Sequence, residues 1–194
     1  MHKLTDKQQN IIQASIELIS ESGIQRFTIK NLANRIHVTD GAIYRHFTSK
    51  EEILHTILKL FQVESAIVLK QACNSTNLAM TDIENMFSHH LKYFAKHPAV
   101  SAVIFSEDIF QNSHILSQEV YKLLVSHEEA LTCVLQRGID QNEITVKIEI
   151  KELISILIGS IRYTVKKWRL NKYSYNLEKE GQTLLNSIKL LLRN

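Results

Sequence analysis

The sequence predicts an all-α protein of about nine helices, and three observations lead to this prediction. Helix-breaking residues are scarce, since the 194 residues include one proline and five glycines. Hydrophobic residues make up 44% of the chain and charged residues 22%, which is typical of a folded globular protein. Hydrophobic side chains also recur at three- and four-residue intervals, which is the period of an amphipathic helix.

Composition also limits the class of protein. Cys73 and Cys133 are isolated in the sequence, so they predict neither a disulfide framework nor a zinc site, and they suit a reducing cytosol. The N-terminus lacks the apolar run of a signal peptide. The most apolar stretch, residues 153–161, is too short to cross a bilayer. We therefore expect a cytoplasmic protein that has no membrane partner.

Several sequence motifs mark where helices begin. Thr5–Gln8, Ser49–Glu52 and Thr81–Glu84 have the spacing of capping boxes, and Thr28 and Thr39 are candidate N-caps. With the stops at Gly23 and Pro98 and a turn region at 138–146, these motifs predict helices at about 7–22, 29–35, 40–47, 50–73, 82–96, 100–109, 113–137, 149–170 and 177–192.

The first fifty residues have the pattern of a helix-turn-helix domain. Two short helices, 29–35 and 40–47, are separated by His37 and Val38 and are braced by the first long helix. Residues 1–50 contain seven Lys and Arg against four Asp and Glu, so the whole net charge of +3 lies there. A basic head suits a polyanion partner. We therefore divide the chain into a DNA-binding domain, residues 1–50, and an effector-binding and dimerisation domain, residues 51–194. The shared core of the head is predicted to contain Leu32, Ala33, Ile36, Val38, Ile43 and Phe47.

The second short helix has two predicted faces. Val38, Ile43 and Phe47 are expected to point inward, and the intervening residues outward. Small residues on the outer face would let the helix approach the major groove closely, while an arginine there can bond guanine or a phosphate. The alternative is an ordinary surface helix with no ligand. The outward residues are Thr39, Asp40, Gly41, Ala42, Tyr44 and Arg45, and Lys50 lies at the margin. Thr28 and Lys30 stand at the start of the preceding helix, where the backbone amides favour a phosphate.

The order and spacing of these residues resemble a known family. Ile11–Ala14, Glu21-Ser22-Gly23, Leu32-Ala33 and the run from Val38 to Leu54 are similar to the N-terminal domain of TetR-family transcriptional regulators. The resemblance implies a homodimer that mostly represses transcription and is released from DNA by a small molecule. It also implies DNA contacts at Thr28, Thr39, Gly41, Tyr44, His46 and Lys50.

The chain departs from the family at two positions beside the recognition helix. Ile36-His37 stands where Ala-Gly is usual, and Thr39 replaces the usual serine. Glycine in that turn permits a left-handed backbone, which histidine tolerates better than most residues do. We expect the turn to survive at some cost, and the operator read by the helix to differ from those of its relatives.

The C-terminal part offers a candidate effector pocket. Aromatic and aliphatic side chains line the predicted helices, and bundle interiors of this kind often bind apolar ligands. For any single residue, ordinary core packing is the favoured alternative. The predicted pocket residues are Phe87, Leu91, Phe94, Ile104, Phe105, Phe110, Leu123 and Leu131.

The last two helices are the candidate dimer interface. The helix at 151–170 is apolar on several sides, so both flanks need cover, and Gly159 and Ser160 would let another helix approach. Two such helices from each subunit would form a four-helix interface. The alternative is burial within one subunit. The predicted interface residues are Ile158, Ile161, Val165, Leu184, Leu185, Ile188 and Leu191.

The remaining motifs point to no metal, cofactor or catalytic residue. Glu52 and His55 form an ExxH, but a di-iron bundle needs a second one, which the sequence lacks. His90 and His97 share a helical face, and Glu107, Asp108 and His114 are near in sequence, yet structural or solvated roles are favoured over a cation site.

The sequence therefore favours a DNA-binding transcriptional regulator that responds to a small hydrophobic effector. It is expected to be a homodimeric repressor on a palindromic double-stranded operator. One alternative keeps the DNA head for marking chromosomal sites. The other is an all-helical enzyme, which would leave the head unexplained, since the sequence has no GxGxxG, P-loop or HExxH.

Overall fold

The computed structural model describes residues 4–106 and 113–192, and within these ranges it contains nine α-helices and no β-strand. The prediction of an all-α fold is therefore confirmed. None of the described helices combines the length and the apolar character needed to cross a membrane. The helices are α1 (Asp6–Ser22), α2 (Ile29–Arg35), α3 (Asp40–Tyr44), α4 (Lys50–Cys73), α5 (Ala79–Lys96), α6 (Pro98–Ile104), α7 (His114–Asp140), α8 (Ile150–Leu170) and α9 (Leu177–Leu192).

Local capping signals place most helix starts correctly. The capping box of α1 forms in both directions, because the Gln8 amide donates to Thr5 Oγ1 at 3.3 Å and the Thr5 amide donates to Gln8 Oε1 at 3.1 Å. At α4 the Glu52 amide donates to Ser49 Oγ at 3.1 Å. The Glu52 carboxylate accepts from the amide and hydroxyl of Thr48 instead of completing the box with Ser49. The bounds of α4 and α9 agree with the predicted ranges.

Two predicted boundaries are wrong because distant parts of the chain act on them. Thr81 is not an N-cap, since α5 begins at Ala79, whose amide donates to the Glu143 carboxylate at 2.6 Å. Helix α7 continues through Gly138 to Asp140. A Cβ at Gly138 would lie 2.6 Å from the Ala79 Cβ, so this glycine permits close helix contact rather than a turn.

Two further helices differ in length from their predictions. Helix α3 ends at Tyr44 instead of Phe47, because a tight turn follows it and carries Phe47 into the core. Helix α6 begins at Pro98, which occupies the first helical position, where its missing amide costs nothing. The helix ends at Ile104, so its predicted continuation towards residue 109 is wrong at residues 105 and 106, and residues 107–109 lie outside the described part of the chain.

The chain forms two compact units, and the first contains residues up to Gln62 and from His97 to Tyr121. In it, α1 packs against α2 and α6, and α2 packs against α3. Leu32, Ile43 and Phe47 are fully buried in its core. Arg35 on α2 bonds both Glu17 and Glu21 on α1, at 3.1 and 2.7 Å, which braces the short helix. The functional boundary predicted at residue 50 remains a prediction.

The second unit contains residues 63–96 and the chain from Lys122 onward. Helix α9 packs against α5 and α8, and Gly181 of α9 lies against the Leu91 side chain. The buried Asp82 carboxylate pairs with Arg137 at 2.5 Å. Arg137 also donates to the carbonyls of Ala72 and Ser75, at 3.0 and 3.1 Å, so it joins the end of α4 to α5 and α7.

A buried histidine pair lies in this second unit. His90 Nε2 is 2.9 Å from His127 Nε2 and 3.3 Å from Ser65 Oγ. His127 Nδ1 faces the Leu123 carbonyl at 2.7 Å, and since a carbonyl only accepts, that nitrogen carries the proton. His90 also bonds the backbone of Met86, so backbone groups hold both rings of the pair. Among residues 4–106 and 113–192, no group of three or more His, Cys, Asp or Glu side chains could hold a metal ion.

The histidine pair should make stability depend on pH. Burial lowers the pKa of both groups, and His90 is moved well below its usual value. The unfolded chain, with histidine pKa near 6.5, then binds more protons than the folded chain as the pH falls. The free energy of unfolding should be highest above about pH 7 and should fall below the unfolded pKa, by up to about 1.4 kcal/mol per pH unit for each histidine.

Urea unfolding of the full chain between pH 5 and 8 would measure this slope. His127→Gln should flatten it, while the matched change His114→Gln, at an exposed histidine, serves as the control. An unchanged slope in the His127 variant would show that another group controls the acid sensitivity.

Candidate nucleic-acid interface

The recognition helix is set by an unusual turn before it. His37 has φ of +55°, in the left-handed region. The His37 amide donates to the Asn34 carbonyl at 3.3 Å and the Val38 amide donates to the Ala33 carbonyl at 3.0 Å. These two bonds form a Schellman motif that ends α2. The expectation that histidine can replace glycine in this turn is confirmed.

Two threonine hydroxyls cap the two short helices. Thr28 Oγ1 accepts from the Asn31 amide at 3.1 Å, and Thr39 Oγ1 accepts from the Ala42 amide at 3.2 Å. Both predicted N-caps are confirmed. Because each hydroxyl oxygen accepts from its own helix, its hydrogen can still donate to an outside acceptor, such as a phosphate oxygen. Capping and DNA contact are therefore compatible at both positions.

The structure separates the two faces of α3 nearly as predicted. Ile43 and Phe47 are buried in the core. Val38 is 41% exposed, so its predicted place in the core is wrong. It stands immediately before the N-cap, and the turn at His37 directs the chain outward there. Exposed beside Thr39, its methyl groups could meet a thymine methyl, and the sequence analysis missed it. No local signal marks this exposure, since Phe27 also precedes an N-cap and is fully buried.

The predicted DNA-contacting residues are all accessible. A Cβ at Gly41 would have only the Thr39 hydroxyl near it, at 3.9 Å, so the outer side of α3 is flat and open. Lys50 lies with its ammonium 5.6 Å from the centre of the Phe27 ring, and burial lowers its pKa. The exposed residues are Thr28, Lys30, Thr39, Asp40, Gly41, Tyr44 and Arg45, and the half-buried ones are Ala42, His46 and Lys50.

Contacts from α1 hold this surface in place, and two glutamates of α1 pair with one of its positive charges. Gln8 Nε2 donates to the His46 carbonyl at 3.3 Å, which joins the start of α1 to the end of the reading segment. Arg35 is engaged by Glu17 and Glu21 and lowers the pKa of Glu21. Its charge therefore supports the fold, whereas the exposed Lys30 and Arg45 are placed to meet an anionic partner.

The predicted effector-pocket residues divide between the two units. Five of them, Phe87, Leu91, Phe94, Leu123 and Leu131, are buried in the second unit. Phe87 and Leu131 belong to its main hydrophobic core. In the first unit Ile104 is buried and Phe105 half-buried. Phe110 lies outside the described residues. The pocket itself remains a prediction.

The predicted dimer residues differ in the surface they expose. Val165, Leu185 and Ile188 are buried within the chain, so they have no surface to offer a second copy. Ile158, Ile161 and Leu184 are half-buried against the core, and Leu191 is exposed. The apolar surface of α8 lies at other positions. Ile156, Tyr163 and Leu170 are 56%, 67% and 76% exposed at seven-residue spacing.

Two family models match the chain. The model of bacterial regulatory proteins of the tetR family matches residues 11–57. The model of the C-terminal region of MAATS-type transcriptional repressors matches residues 79–193, more than half of the chain. The chain belongs to the TetR family. It is a DNA-binding transcriptional regulator, and this family is one of regulators rather than enzymes.

Individual relatives agree with this assignment. The fatty acid metabolism regulator protein of Bacillus subtilis is 26% identical over 177 residues, covering 91% of each chain. The probable acrEF/envCD operon repressor of Escherichia coli is 21% identical over 184 residues, covering 93% of this chain and 84% of its own.

Solved structures share the fold. The regulator FadR from Bacillus subtilis, in complex with stearoyl-CoA, has a TM-score of 0.73 at 22% identity and covers 95% of this chain and 99% of its own. The ketosteroid regulator KstR2 of Mycobacterium tuberculosis has a TM-score of 0.84 at 16% identity, and the match covers 99% of this chain and 97% of its own.

The role of Arg45 can be tested by its effect on sequence preference. Arg45→Ala should weaken binding to the selected operator by about 1–3 kcal/mol while changing binding to scrambled DNA little, because a bidentate base contact carries sequence information. Fluorescence anisotropy on both duplexes at one salt concentration measures the difference. Lys147→Ala, at an exposed lysine of the second unit, is the matched control. An equal loss on both duplexes would instead make Arg45 a phosphate contact.

Proposed function

We propose that this protein is a homodimeric repressor that binds a palindromic operator and is released from it by a small hydrophobic effector. The observation that carries this proposal is the exposed reading face from Thr39 to Arg45, held on a capped helix by the turn at His37. The match of residues 79–193 to the C-terminal region of transcriptional repressors supports repression. An activator would have to recruit polymerase, and no observation favours that role.

We propose a fatty acyl thioester, such as a long-chain acyl-CoA, as the effector. The Bacillus subtilis relative regulates fatty acid metabolism, and the solved FadR structure from the same species holds stearoyl-CoA. The large apolar core of the second unit, which includes Phe87 and Leu131, suits an acyl chain. The predicted pocket residues of that unit are the candidates for its lining.

Helix α4 is the proposed route from effector to DNA. It begins at Lys50 beside the reading segment and runs without interruption to Cys73. The buried Glu119 of α7 pairs with Lys59 at 2.5 Å and accepts from Gln62 Nε2 at 3.2 Å, and Ser113 donates to Glu51. These polar contacts hold the first half of α4. We infer that the effector shifts α4 and so changes the spacing of the two heads of a dimer.

Release by an acyl thioester is directly testable. Stearoyl-CoA should weaken operator binding by at least about tenfold, which corresponds to a coupling of about 1.4 kcal/mol, while free coenzyme A should not. Anisotropy of labelled operator with both compounds measures the effect. The same stearoyl-CoA should raise the melting temperature, because a ligand that binds only the folded state stabilises it.

Two results would contradict the proposed function in different ways. If stearoyl-CoA binds the chain without changing its affinity for the operator, the proposed release by an acyl thioester is wrong. Many scattered genomic sites, with no preference for promoters, would favour a chromosome-marking role over repression.

We propose that two chains associate through the outer face of α8. Ile156, Tyr163 and Leu170 repeat every seven residues, as apolar residues do along a helix–helix seam. Gly159 between them is exposed, and a Cβ there would meet nothing within 4 Å. A second helix can therefore approach closely. Tyr163, Lys166, Lys167, Leu170 and Asn171 border an open groove at the end of this face. A two-fold dimer would present two heads to the two halves of a palindrome.

A charge on this face should separate the subunits. Tyr163→Lys should weaken dimerisation by at least about a hundredfold, roughly 2.7 kcal/mol, because it buries a further positive charge beside Lys166 and Lys167 at the seam. Sedimentation equilibrium measures the dissociation constant. Tyr121→Lys is the matched control, since Tyr121 is 68% exposed in the first unit. A dimer that survives Tyr163→Lys unchanged would place the interface elsewhere.

A further inference from the structure

The fold brings together two cysteines that are isolated in the sequence. Cys73 lies at the end of α4 and Cys133 lies in α7, sixty residues away. Cys133 Sγ is 3.7 Å from the Cys73 carbonyl oxygen, and Cys73 Sγ is 3.9 Å from the carbonyl oxygen of Ala130, one turn before Cys133. Each thiol reaches the backbone beside the other, so the two side chains are neighbours where α4 meets α7.

The two thiols differ in environment. Cys133 is exposed, whereas Cys73 is half-buried. Burial, together with the Cys133 thiol, raises the pKa of Cys73 to about 11, so Cys73 keeps its proton. Arg137 follows Cys133 by one turn and donates to the carbonyls of Ala72 and Ser75, on either side of Cys73. Arg137 therefore holds the end of α4 against α7 next to the two thiols.

We propose that Cys73 and Cys133 are a redox-sensitive pair, in which a two-electron oxidant such as hydrogen peroxide closes a disulfide within one chain. Cys133 is the attacking thiol because it is accessible to the oxidant. Cys73 is the resolving thiol because it lies beside Cys133 and is less exposed than Cys133. Neither residue belongs to the reading face or to the face of α8.

The reaction balances in two steps. The Cys133 thiolate attacks one peroxide oxygen, the O–O bond breaks, and the departing hydroxide takes a proton to leave as water. This gives a sulfenic acid on Cys133. The Cys73 sulfur then attacks the Cys133 sulfur, the S–O bond breaks, and the hydroxide leaves with the Cys73 proton as a second water. Two thiols are oxidised to one disulfide, and one peroxide is reduced to two waters.

The product would join the last turn of α4 to the middle of α7 within the second unit. Closing a loop of this length restricts the unfolded chain, so the oxidised protein should melt higher than the reduced protein. An increase of about 5–10 °C is expected for a chain of this size. Reduction by dithiothreitol should reverse the increase.

The test uses the full chain, reduced, desalted and treated with hydrogen peroxide. Non-reducing peptide mapping by mass spectrometry should show one linked peptide pair containing Cys73 and Cys133, with a loss of two hydrogens. Cys73→Ser should remove the link and leave a Cys133 sulfenic acid that dimedone captures. Cys133→Ser should leave Cys73 as a free thiol under the same treatment.

Three outcomes would overturn the proposal. Both thiols could remain free in the peroxide-treated wild type. The linked peptide could join two chains, which a mixture of isotopically light and heavy protein would reveal. The intrachain link could form without raising the melting temperature, which would show that the thiols meet only in a distorted fold.

Discussion

The left-handed turn at His37 is the constraint on which the predicted DNA-reading surface depends. Its two backbone hydrogen bonds, to the carbonyls of Asn34 and Ala33, end α2 and set the direction of the chain into α3. Thr39 then caps α3, and Ile43 and Phe47 enter the core. If the turn opened, the outer face of α3 would lose its orientation while each helix could still form.

A second level of order comes from polar contacts between distant segments. Arg35 holds α2 to α1 through two glutamates, and Glu119 holds α4 through Lys59 and Gln62. Arg137 joins α7 to Asp82 on α5 and to the end of α4. The two buried carboxylates of this set, Glu119 and Asp82, specify which helices meet, because an unpaired buried charge is costly. In a bundle held mostly by interchangeable aliphatic contacts, these pairs also fix the register.

The second unit illustrates why apolar residues are hard to assign to a ligand or to a partner. Val165 and Leu185 fill the interior of the chain itself, while Ile156 and Tyr163 remain outside. The helix at 150–170 is apolar on several sides, so its period alone does not tell which side faces the core and which faces solvent. The exposed side is defined only by the packing of α5 and α9 against it.

The sequence by itself determined what depends on neighbouring residues. The all-α class, the caps at Thr28 and Thr39 and the bounds of α4 and α9 follow from signals within a few residues. The division of residues 39–45 into a buried side and an exposed side follows in the same way, while their contact with DNA stays a prediction. Only the tertiary structure decided the exposure of Val38 and the start of α5 at Ala79. The tertiary structure also brings His90 next to His127 and Cys73 next to Cys133. These features depend on residues far apart in the chain, and only packing determines which distant side chains meet.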